Sequence, residues 1–77
     1  MKIGSLFKYR HNGKHHDVTL IILHDKNKNE RILFNIDYEI KVGIWILLYA
    51  EFTGKIANSQ DIKKYLDLLN KEKKDGV

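Results

Sequence analysis

The sequence predicts an α+β domain of the form βββαα: a three-stranded antiparallel meander followed by a buried central helix and an amphipathic C-terminal helix. Three observations predict it. Apolar residues alternate on both sides of Asn12-Gly13 and again over residues 31–36; residues 40–52, IKVGIWILLYAEF, are apolar on nearly every side of a helical wheel; and Ile62, Tyr65, Leu66 and Leu69 recur at i, i+3, i+4, i+7.

Residues 2–10 and 16–23 read as two strands of a hairpin, because Asn and Gly both tolerate the positive φ of a two-residue turn. That turn sets Arg10 against His15, Lys8 against Asp17, Phe7 against Val18 and Ser5 against Leu20. Residues 25–30, DKNKNE, have turn composition and residues 31–36 a third strand's alternation. A turn centred on residues 26–28 puts Ile32, Phe34 and Ile36 on the core face with Phe7, Tyr9, Val18, Leu20 and Ile22. The outer face then carries Lys2, Leu6, Lys8, Arg10, His15, Asp17, Ile21, Leu23, Arg31 and Leu33.

Asn35 or Asp37 would cap the central helix and Thr53-Gly54 would end it. A helix that is hydrophobic all round is buried all round. This one is too short for a membrane span and holds Lys41 and Glu51, so no membrane association is expected. Asn58-Ser59, with Asp61 three residues after Asn58, starts the second helix. Residues 71–77 read as a frayed charged tail.

Seventy-seven residues make one domain, small enough that self-association is a common remedy for a thin core. The chain is 43% hydrophobic and 31% charged, which is globular composition. With no cysteine, disulfides and thiolate metal sites are excluded. The N-terminal residues lack the apolar run of an export signal, so the expected compartment is the cytoplasm, or the host cytoplasm for a viral gene. Fourteen Lys and Arg against ten Asp and Glu give +4, a field that suits an anionic partner without specifying one.

Four histidines, His11, His15, His16 and His24, do not converge with carboxylates in this register, so no metal is expected. Ser5 and Ser59 read as a strand residue and a helix start, the glycines are dispersed, and no nucleophile stands beside a base. No enzyme and no cofactor are expected. Lys2, Lys8, Arg10, Lys14, His15 and Arg31 form a basic sheet face and turn that would follow a phosphate backbone or an acidic protein. The aromatics Phe7, Tyr9 and Phe34 fall on the opposite face, away from stacking positions.

Residues 46–66, ILLYAEFTGKIANSQDIKKYL, resemble the first two helices of a winged helix-turn-helix domain, which implies DNA binding. Such domains read DNA with a third helix, and after Leu69 only NKEKKDGV follows, so an ordinary αα-hairpin is the weightier reading. Trp45, Tyr49 and Phe52, spaced i, i+4, i+7, read first as core packing, but the helix is hydrophobic on more sides than one small sheet and one helix can cover. Together with Leu6, Ile21, Leu23 and Leu33 they are the candidate apolar interface. The expectation is a small basic non-enzymatic interaction protein that binds and modulates a macromolecule, with another protein or a second copy of itself as partner. Its Lys-, Asn- and Ile-rich composition suits a phage, virus or plasmid accessory or inhibitor protein. The competing expectation is a backbone-directed nucleic-acid binder, such as a small transcriptional regulator.

Overall fold

A computed structural model describes residues 2–10 and 17–75. The expected Asn12-Gly13 turn, with His11, Lys14, His15 and His16, lies outside the described residues. The elements are β1 (Ser5–Tyr9), β2 (Val18–Asp25), β3 (Glu30–Asn35), β4 (Ile40–Val42), a 3₁₀ segment η1 (Ile44–Tyr49), β5 (Glu51–Ile56) and α1 (Ser59–Asp75). The strands form one antiparallel sheet in the order β4-β3-β2-β1-β5.

The expected βββαα fold is therefore corrected in its middle: residues 40–52 are not a helix but a strand, a 3₁₀ segment and the start of a second strand. The reason lies at the sheet edges. A three-stranded meander leaves the outer backbone groups of β3 and β1 unpaired, and one run of chain supplies both partners, β4 for β3 and β5 for β1. Its composition favours this outcome, since Val42, Ile44, Trp45, Ile46 and Tyr49 are β-branched or aromatic and Gly43 sits in extended conformation at φ −68°, ψ 137°. An uninterrupted apolar run cannot be assigned to helix or buried strand by periodicity. The likeness to a helix-turn-helix pair falls with the helix, because residues 51–56 are β5.

Of the residues expected to bound that helix, Asn35 makes its local bonds in a turn, while Asp37 bonds to the distant strand β2. Asn35 Oδ1 accepts from the amides of Asp37 (2.9 Å) and Tyr38 (3.1 Å), closing the β3–β4 turn, and Asp37 Oδ2 accepts from the Thr19 amide at 2.6 Å. A side-chain oxygen that caps a helix also makes an Asx turn. Gly54, at φ 82°, gives β5 a left-handed residue where its register against β1 shifts.

Two register changes decide the faces. β1 and β2 pair Phe7 with Leu20 and Lys8 with Thr19, two residues from expectation, which preserves the faces but gives Asp17 to Arg10 (3.1 Å) instead of Lys8. The β2–β3 turn occupies residues 26–29, with the Asp25 carboxylate accepting from the amides of Asn27 (3.0 Å) and Lys28 (3.4 Å) and Asn29 at φ 51°. Ile22 consequently faces Leu33, and Ile21 faces Phe34. That slip of one residue turns β3 over.

Both faces are covered. On one, Phe7, Val18, Leu20, Ile22 and Leu33 pack under Val42, Ile46, Leu47 and Ala50. On the other, Ile21, Leu23, Ile32 and Phe34 pack under α1 through Ile62, Tyr65, Leu66 and Leu69, the stripe read from the sequence. α1 starts as expected, Asn58 Oδ1 accepting from the Asp61 amide at 2.8 Å. Ile21, Leu23 and Leu33, expected on an open face, are wholly buried because that face does not exist: each side of the sheet has its own lid. Gly4, at φ 93°, joins the lids to the sheet, its amide donating to Ile22 O and its carbonyl accepting from the Ala57 amide, both at 2.8 Å. A Cβ there would meet Ile62 Cδ1 at 2.8 Å.

Leu33→Ala should lower unfolding stability by about 3 kcal/mol in urea melts, whereas Leu48→Ala should change it by less than about 0.5 kcal/mol; equal effects would contradict the observed faces. Asn58→Ala should cost about 1 kcal/mol. Gly54→Ala, which meets no neighbour, should cost about 1 kcal/mol through φ alone, and Gly4→Ala clearly more.

Candidate functional site

The most unusual surface lies on η1 and β5. A 3₁₀ segment has three residues per turn, so side chains three apart eclipse. With Ile46 and Leu47 inserted into the core, Trp45 and Leu48 stack on the side away from the sheet and Tyr49 turns out beside them. Leu48 is 81% exposed, Tyr49 67%, Trp45 61% and Phe52 54%, and Ile44 and Ile56 are about half exposed. The segment 42–50 contains no charged residue.

These side chains are ordered against one another. The rings of Trp45 and Tyr49 meet edge to face with centroids 6.2 Å apart. The Trp45 indole lies over Gly43, where a Cβ would collide with it, so Gly43 makes room for the ring. Phe52 faces Phe7 across the β5–β1 pair, the rings tilted with centroids 5.4 Å apart. Beside Phe52 a groove of about 430 Å³ runs between Lys2, Ser5, Phe7, Phe52 and Ile56. Phe7 belongs to the core layer under η1, so the groove and the projecting Leu48 lie on the same face of the sheet.

Of the residues read as an apolar interface, Trp45, Tyr49 and Phe52 come together on this surface. Leu6 is half-buried toward α1, and Ile21, Leu23 and Leu33 are interior. Leu48, Ile44 and Ile56 were not singled out from the sequence. The signal available was the length of the uncharged run, which says that apolar surface is in excess but not which residues carry it.

The basic residues do not share one face. Lys8 lines a second groove with Leu6, Thr19, Glu51, Phe52, Thr53 and Lys55, and Lys8 itself lies on the face opposite Phe7. Arg31 pairs with His24 across β3 and β2 and shares the face of Leu33. Lys2 stands at the apolar groove, and Arg10 is engaged by Asp17. Lys14 and His15 lie outside the described residues.

The polar groups inside the fold hold turns. Ser5 Oγ donates to Lys2 O at 2.8 Å, Asp25 and Asn35 close the turns described above, and His24 Nε2 lies 3.2 Å from Asn29 Oδ1. Among the described residues, no three His, Asp or Glu side chains gather as metal ligands, and no helix is long and apolar enough to cross a membrane. Comparison of the chain with protein-family models, with curated proteins and with solved structures finds no match.

Proposed function

We propose that this chain is a small, non-enzymatic interaction protein of the cytoplasm that works by docking its η1–β5 surface on protein, either another chain or a second copy of itself. The observation that carries this reading is the outward exposure of Trp45, Leu48 and Tyr49 on a six-residue segment whose neighbours Ile46 and Leu47 are packed into the core. Tryptophan and tyrosine are the side chains in which binding energy concentrates at interfaces. The Trp45 and Tyr49 rings already pack against each other, so these two have less rotamer freedom to lose on docking.

Exposed large apolar side chains are also concentrated on η1 and β5. Trp45, Leu48, Tyr49, Phe52, Ile44 and Ile56 leave roughly 700 Å² open when their exposures are applied to ordinary side-chain areas. Backbone-directed nucleic-acid binding has less support, because phosphate tracking needs cations on one continuous surface, and Lys8 and Arg31 occupy opposite faces.

A photo-cross-linking residue at position 48 should trap protein in cells, while the same residue at exposed Lys63 on α1 should trap little. Equal yields from both positions would remove the reading. Against the partner so trapped, Trp45→Ala combined with Leu48→Asp should weaken binding by about 100-fold. The competing reading expects DNA or RNA binding that falls steeply with salt and is lost in Lys8→Glu with Arg10→Glu.

A further inference from the structure

Resting on the reading of η1–β5 as a contact surface, we propose that its occupant is a second copy of this chain, held in a two-fold dimer in which Leu48 of each copy enters the Phe7–Phe52–Ile56 groove of the other. The argument begins with the juxtaposition of a projection and a recess on one face. Among the described residues Leu48 is the most exposed of the large apolar ones, and the groove beside Phe52 is apolar apart from Lys2 and Ser5, whose hydroxyl is committed to Lys2 O. A two-fold contact uses one surface twice, so a surface able to form it must contain both halves of the fit. This surface does.

Charge and size agree with that occupant. Since residues 42–50 carry no charge, no like charges meet where two copies of η1 touch. An acidic partner would find only Lys2 at the groove and nothing basic on η1. The open apolar area of roughly 700 Å² lies close to the ~800 Å² that each partner contributes to a standard stable interface. Burying it would also place Trp45, the single tryptophan of the chain, at the dimer interface.

Sheet-edge pairing is the other route by which such a sheet could meet its copy, and both edges oppose it. β4 has three residues and is preceded by Glu39 at φ 56°, and β5 is interrupted by Gly54 at φ 82°. Short and bulged edges resist strand addition. The side-chain surface is the remaining continuous route.

The test uses two single variants and their mixture. Sedimentation equilibrium of the full chain should give twice the 9.1 kDa chain mass at tens of micromolar, with iodide quenching of Trp45 falling as dimer forms. Leu48→Asp and Ile56→Lys should each weaken self-association by about 100-fold and keep the wild-type circular dichroism spectrum, both side chains being exposed. Mixed one to one they should form a heterodimer, because one contact then sets the introduced carboxylate against the introduced amine and the other keeps the original leucine and isoleucine. Wild-type chain that stays monomeric at about 1 mM, a concentration at which even weak specific contacts populate, overturns the pairing. So does a dimer that neither variant weakens, or a mixture that associates no better than its components. If the chain is monomeric, cross-links from position 48 to a different protein leave the contact-surface reading standing, and no cross-link removes that reading too.

Discussion

The structure depends on how a three-stranded meander completes its edges. The outer backbone groups of β1 and β3 are paired by the chain after residue 36, which adds β5 to one and β4 to the other and leaves short or bulged strands as the open edges. One segment serves both edges, so it must cross a face of the sheet between β4 and β5. In a flat sheet those edges stand about 19 Å apart. Six residues of 3₁₀ helix span about 12 Å, with short extended links making up the rest. There is little slack, and the crossing lies directly on the sheet, covering Phe7, Leu20, Ile22 and Leu33.

That crossing explains the surface. A strap two side chains wide on its inner side can bury Ile46 and Leu47, but the same uncharged run also contains Trp45, Leu48 and Tyr49, which have no sheet left to meet. The other lid differs. α1 has a regular stripe, so Ile62, Tyr65, Leu66 and Leu69 go inward while Lys63, Lys64 and Asp67 remain in water. One face of the sheet is closed by an amphipathic element and the other by an element that is apolar on both sides.

Much of the candidate site was legible as an excess of apolar residues. The aromatic series Trp45, Tyr49 and Phe52 stood out from spacing alone, although it was read on a helix and exists on a 3₁₀ segment and a strand. Ile21, Leu23 and Leu33 went to the wrong side of the molecule for a specific reason. Strand periodicity is two, so a turn of four residues in place of three exchanges the faces of every residue that follows. The basic face dissolved by the same step, since Arg31 moved with Leu33.

By itself the sequence determined three strands in the first half of the chain, the cap at Asn58 and the apolar stripe of α1, while Asn35, Asp37 and Gly54, read as the ends of a helix, serve a turn, a bond to β2 and a bulged strand instead. The cap is set by neighbours three residues apart and the stripe by the period of the helix, so both can be read from a short window. Whether residues 40–52 became helix or strand depended on two sheet edges separated from them in sequence and from each other in space. Only the assembled sheet presents those edges, because unpaired backbone groups are a property of the whole ladder. The tertiary structure therefore decided which apolar residues were hidden and which were left facing out.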